Sequence, residues 1–140
     1  MTHAETLSGF NGLPLEIPAA MGGHSGVPTS VIEATVALDP GNLVCWSDDR
    51  SSTFGIARSN KVMVLERRNV TGLSIDFMRP AKGRGWVALE AKLKDQAAPT
   101  TLLQSLVYSE DAVTWLLSVR EQLCSVFGVA VEVRDHGSDY

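Results

Sequence analysis

The 140 residues predict a mostly β domain closed by one C-terminal helix, an α+β class. Three observations predict it. Residues 72–79 and 85–94 alternate apolar and polar side chains at period two. The runs before them are short and are divided by turn residues. Beyond Ser109 the period lengthens to that of a helix and holds as far as Gly128.

Residues 1–28 are rich in Gly, Ser, Thr, Pro and Ala around Met21-Gly22-Gly23-His24-Ser25-Gly26, and are expected to form a flexible arm. Inside it Leu13, Leu15 and Ile17 alternate between prolines, a pattern suited to an edge strand that docks on its own domain or on a neighbour. Residues 29–134 are expected to be a single domain and 135–140 a short tail. Seven strands are expected, at 31–38, 42–47, 53–58, 61–67, 72–79, 85–94 and 100–108. Asp39-Pro40-Gly41-Asn42 supplies a fixed φ and then a permissive glycine for one reversal, and Asp48-Asp49-Arg50-Ser51-Ser52 is a second, polar one. In the fifth strand Leu73, Ile75 and Phe77 face one way, with Ser74, Asp76 and Met78 opposite. In the sixth, Val87, Leu89, Ala91 and Leu93 oppose Ala88, Glu90, Lys92 and Lys94.

The helix spans 110–127, with Ser109 as its N-cap, Glu110 and Asp111 at its positive end, and Gly128 at the left-handed C′ position. Its apolar arc is about 200° wide, twice what a helix lying on one sheet needs. The excess is expected to touch a last strand at Val129, Val131 and Val133, the N-terminal arm, or a second subunit. Arg120 falls inside the arc and is expected to snorkel at its rim.

The formal net charge of −4 conceals three blocks. Residues 1–57 carry one base against six acids, residues 58–94 nine against three, and residues 95–140 two against seven. A basic segment can steer anions, yet among acidic flanks it more simply neutralises the fold's own carboxylates. No signal peptide or membrane span is read, so Cys45 and Cys124 are expected as reduced thiols in a cytoplasmic protein. The cysteine spacing and His3, His24 and His136 show no metal pattern, and neither metal nor cofactor is expected.

Four segments carry a family resemblance: Leu38-Asp39-Pro40-Gly41-Asn42-Leu43, Val70-Thr71-Gly72-Leu73-Ser74-Ile75, Gly85-Trp86-Val87-Ala88-Leu89-Glu90-Ala91-Lys92-Leu93, and Ser109-Glu110-Asp111-Ala112. With the order of elements over residues 31–127 they resemble bacterial PH-like domains of the pleckstrin-homology superfold. That resemblance implies a bent antiparallel barrel of about seven strands, one opening plugged by helix 110–127. Phosphoinositide-binding members use Lys and Arg around the first hairpin. Here that hairpin holds Asp39 and the next reversal Asp48 and Asp49, so a phosphoinositide ligand is not expected.

The sequence contains no convergent catalytic constellation. Gly23-His24-Ser25-Gly26 is followed by Val27 where a nucleophile elbow needs glycine. Asp48-Asp49 and Glu110-Asp111 suit a turn and a helix start. The expected function is therefore a non-enzymatic protein-binding or self-assembling module that uses Trp86, Met78, Trp115 and Arg120. The alternative is an anion or nucleic-acid binder using Arg67, Arg68, Lys82 and Arg84, two of them in the glycine-bearing loop Lys82-Gly83-Arg84-Gly85. A small enzyme built on His24, Cys45 or the acidic pairs is the third alternative.

Overall fold

The computed structural model describes residues 2–18, 27–36, 42–58 and 61–138. The chain runs β1 (Thr2–Leu7), α1 (Thr29–Val36), β2 (Leu43–Asp48), β3 (Thr53–Arg58), β4 (Lys61–Glu66), a 3-10 turn (Arg67–Asn69), β5 (Val70–Arg79), β6 (Trp86–Leu93), β7 (Thr100–Ser105), α2 (Glu110–Phe127) and β8 (Val131–Ser138). Two four-stranded sheets result. Sheet A has the order β1-β2-β3-β4, and sheet B has the order β7-β6-β5-β8. Every pairing is antiparallel except that of β8 with β5, which is parallel. The fold is α+β with a C-terminal helix, as expected, and among the described residues neither sheet closes into a barrel.

The main core lies between the sheets and around α2. Leu43, Cys45, Phe54 and Ile56 point into it from sheet A, and Leu73, Ile75, Phe77, Val87 and Leu89 from sheet B. Helix α2 adds Val113, Trp115, Leu116, Leu123 and Phe127, with the Phe127 ring 4.6 Å from that of Phe54. Burial against two sheets accounts for the wide apolar arc. Ser109 Oγ accepts the Ala112 N–H at 3.2 Å, and Gly128 adopts φ 69° with its N–H on the Cys124 carbonyl, so both helix ends stand where the sequence put them.

A smaller core occupies the other face of sheet A. There Val44, Trp46, Ala57 and Val62 meet Val31 of α1. Strand β2 is covered on both faces, so it reads as a continuous apolar run rather than an alternation. Trp46 lies across Gly55 of β3, and among the described residues its indole N–H finds no acceptor.

Helix α1 corrects the expected strand 31–38, whose residues 37 and 38 lie outside the described residues, as do 39–41 of the first turn. A strand would turn Glu33 to the same side as Val31 and Thr35. The helix buries Val31 and Thr35, one turn apart, and exposes Ile32 and Glu33. The Pro28 carbonyl accepts the N–H groups of Val31 and Ile32 at 3.0 and 3.3 Å and starts the first turn. β-branched residues lower helix propensity, but the apolar surface of sheet A outweighs that preference.

The expected flexible arm is also corrected, over its described part. Residues 2–7 form β1, paired along β2, and Phe10, Leu15 and Ile17 are buried in the main core. Glu16 exchanges both backbone hydrogen bonds with Gln104 at 3.0 Å, so the alternating segment docks on its own domain at the edge of β7. At the other end, residues 135–138 continue β8 instead of starting a tail. Arg79 Nη1 donates to both oxygens of Asp135 at 2.7 and 2.8 Å, holding the end of β8 to that of β5.

Candidate functional site

Helix α1 packs on the outer face of sheet A, and α2 lies on the inner face of both sheets. The outer face of sheet B is therefore left, among the described residues, to the side chains of its own strands. Period-two alternation puts Ser74, Asp76 and Met78 of β5 on that face. Cross-strand register sets them opposite Glu90, Ala88 and Trp86 of β6, and aligns Asp76 with Arg134 of β8 on its other side. Asp76 is 2% exposed. It accepts hydrogen bonds from Ser74 Oγ and, at 2.8 Å, from His136 Nε2. A carboxylate can only accept, so the imidazole proton in that bond sits on Nε2 and the ring orientation is set. The His136 ring in turn tilts against Trp86, with 5.1 Å between centroids.

This is not a nucleophilic triad. The carboxylate stands between serine and histidine, so His136 does not reach the Ser74 hydroxyl as a base must. The cluster instead fixes two outward groups, His136 and Trp86, on a rigid sheet.

Glu90 completes it. Burial, followed by the charge of Asp76 and a hydrogen bond to it, raises the Glu90 pKa above its ordinary 4.5, while His136 and Arg134 partly offset the rise. The folded state thus holds this proton more tightly than the unfolded chain. Stability attributable to Glu90 falls as pH rises through the ordinary glutamate range, and the penalty is complete above the raised folded value. In the dilute, monomeric chain Glu90→Gln is expected to raise the thermal midpoint near pH 7 and to lose that gain near pH 4, as measured by fluorescence-detected thermal unfolding at both values. An equal gain at both would exclude charge as the cause.

Two hollows open on this face. One of about 270 Å³ lies over β6 and β7 among Trp86, Ala88, Glu90, Thr101, Gln104 and Leu106. The other, about 200 Å³, lies over β5, β6 and β8 and has Lys92, Glu132 and Arg134 on its walls.

Of the residues singled out from sequence, Trp86 and Met78 belong to this face and are half-buried. Trp115 does not. It is 8% exposed, its indole N–H donates to the Ser8 carbonyl at 2.8 Å, and its ring meets Phe10 at 5.2 Å. The N-terminal segment occupies the place proposed for a partner. Arg120 is exposed and donates through Nε to the Val131 carbonyl at 2.7 Å, joining α2 to β8.

The anion candidates do not converge. Arg67 and Arg68 precede β5 while Lys82 and Arg84 follow it, so about 30 Å of strand separates the two pairs. Arg68 pairs with Glu66 at 3.1 Å, and the Arg67 guanidinium stands against Gly128. Elsewhere, His24 and its glycine motif lie outside the described residues. Burial and the neighbouring Glu5 charge push the Cys45 thiol up to about 12, which leaves it protonated and a poor nucleophile. Asp48 caps its turn by accepting the Ser51 N–H and hydroxyl at 3.0 and 2.7 Å, which lowers its pKa.

Sequence reasoning missed Ser74, Asp76, Glu90 and His136 as a group. A signal existed for three of them, because Ser74, Asp76 and Glu90 share the polar face of two adjoining strands. His136 had none, since only the parallel pairing of β8 carries it to Asp76.

A family model described as the PM0294 C-terminal domain matches residues 28–136. The chain belongs to that family. The stretch shared with the PM0294 C-terminal domain runs from α1 into β8 and ends on His136, so it holds the whole cluster and both hollows, whereas β1 and the segment with Phe10, Leu15 and Ile17 lie outside it. No curated protein and no solved structure matches the chain. None of these comparisons carries the pleckstrin-homology resemblance. Among the described residues no helix is long and apolar enough to cross a membrane, and no group of three His, Cys, Asp or Glu side chains is placed to hold a metal ion.

Proposed function

We propose that this member of the PM0294 C-terminal domain family is a non-enzymatic protein-binding and self-assembling module whose contact surface is the outer face of sheet B. One observation carries the reading: helices occupy the other sheet faces, whereas this one presents Trp86, braced by His136, beside Leu106, which is 72% exposed. A rigid aromatic anchor beside a shallow hollow is the usual centre of a protein interface. Most of the apolar arc of α2 is buried within the fold, with Leu117 left on its solvent side.

The strand order supports a PH-like module. Four strands in sequence order form sheet A, three more form most of sheet B, and a helix follows, with α1 and the parallel β8 as departures from that plan. Both cysteines are free, which agrees with a cytoplasmic setting.

Light scattering over a concentration series is expected to show reversible self-association that persists at high salt. Leu106→Lys should weaken it by about tenfold or more, because a charge would enter the apolar end of the face. Leu117→Lys, on the solvent side of α2 where Leu117 is 44% exposed, should leave it unchanged. The reverse ranking would move the interface to the helix, and a monomer at every concentration would remove self-assembly. Binding of a nucleic-acid probe that falls steeply with salt would favour the anion alternative.

A further inference from the structure

The larger hollow has a chemistry of its own. Its described lining includes one carboxylate, Glu90, and no basic side chain, with the Trp86 ring, the Gln104 amide and Thr101 around it and Leu106 at the rim. An aromatic face next to an acid and an amide oxygen suits a guanidinium group, which is planar, weakly hydrated and forked. The smaller hollow, with Lys92, Arg134 and Glu132, lacks that selectivity.

The chain itself carries a matching group. Arg84 is exposed in the hairpin that leads into β6, two residues before Trp86, and makes no ion pair with another described residue. A symmetric pair of faces requires every contact to be made twice, so the patch must hold both halves of each contact. A two-fold axis lying between two such faces and crossing β6 at Val87 reverses the strand, setting position 84 of one copy opposite position 90 of the other. The same axis sets Trp86 opposite Ala88, a small residue that leaves room for an indole.

We propose that the hollow over β6 and β7 receives Arg84 of a second copy, its guanidinium on Glu90 and against Trp86, so that each dimer is closed by two equivalent hooks. This inference rests on the assembly reading above. Glu90 is suited to it by position: it is the one carboxylate in the described lining, and its ionisation, opposed first by burial and then by Asp76, is favoured by an arriving cation.

The test is a charge exchange on the full chain, read by sedimentation or light scattering. Arg84→Glu and Glu90→Lys are each expected to weaken self-association by roughly tenfold or more through like-charge contact. An equimolar mixture of the two should recover association to near the native level. In the mixed pair, Glu at 84 meets Lys at 90 across one hook, and the native Arg84 and Glu90 meet across the other. Arg84→Gln, an exposed loop change, keeps the question open if Glu90→Lys does not fold, and should weaken association on its own. Native association that Leu106→Lys abolishes but Arg84→Glu and Arg84→Gln leave untouched overturns the hook and spares the assembly reading. Failure of the mixture to recover also overturns the hook. A native chain that stays monomeric overturns both.

Discussion

Trp115→Ala is expected to destabilise the protein by about 3–5 kcal/mol and to free the segment that follows β1. The indole fills the junction between α2 and the N-terminal segment, touching Phe10 at 5.2 Å and donating to the Ser8 carbonyl at 2.8 Å. Deleting it removes a large buried ring, leaves a cavity bounded partly by rigid strands, and strands a carbonyl without its donor. Phe10 then loses its neighbour on one side, while Arg58 remains over its ring at 5.0 Å. The adjoining residues depend on this contact, since Leu15 and Ile17 reach the core through the chain it fixes. Urea unfolding should show the full loss, and hydrogen exchange should show Leu13 and Glu16 amides losing protection before those of β5. Trp115→Phe keeps part of the ring contact, removes the indole donor and leaves a smaller cavity, so its loss should be distinctly smaller than that of Trp115→Ala, about 1–3 kcal/mol. An alanine variant within 1 kcal/mol of the native chain, with Glu16 still protected, would mean that the segment is held elsewhere.

Gly55→Ala is expected to destabilise by about 3 kcal/mol or more, although it adds a single methyl group to a strand. A Cβ at position 55 would run into the Met63 carbonyl of the neighbouring strand and approach the Trp46 ring at 2.6 Å. A flexible side chain could yield, but the carbonyl belongs to the β3–β4 ladder and Trp46 is wedged beneath α1. Relief therefore requires sheet A to shift. A double variant makes the cause visible: Gly55→Ala with Trp46→Val clears the ring and leaves the carbonyl collision. Stability should fall short of full rescue in thermal unfolding: the double variant should lose somewhat less than the sum of the two single losses, because the ring collision is relieved and the carbonyl collision is not. Full rescue by Trp46→Val would place the whole collision in the ring.

The extent to which the fold was legible differs by element, and the differences have physical causes. Helix α2 was readable to the residue because its stops are local: Ser109 caps the first turn through its own hydroxyl, and Gly128 takes a backbone conformation other residues resist. Strands β3, β5 and β6 were readable because their side chains alternate between a core and another environment. Strand β1 was not. Of Thr2–Leu7 only Leu7 is buried, and the strand exists because β2 offers an open edge. Helix α1 was misread because Val, Ile and Thr favour strands locally, while the surface that holds them in a helix belongs to residues at 44–62.

The candidate site follows the same division. Sequence alone set Ser74, Asp76 and Met78 on one face of β5 and Trp86, Ala88 and Glu90 on one face of β6, because side-chain direction in a strand is a property of the strand itself. It also placed Trp86 among the residues worth testing. Which of these faces would lie beneath a helix and which would be left without one was settled by the two-sheet packing, in which α2 takes the interior and α1 takes sheet A. The union of Asp76 with His136 was settled by the parallel return of β8, which crosses sixty positions of chain. Local rules act within a few residues along the chain, whereas a buried carboxylate and its partner are brought together by the burial of everything between them.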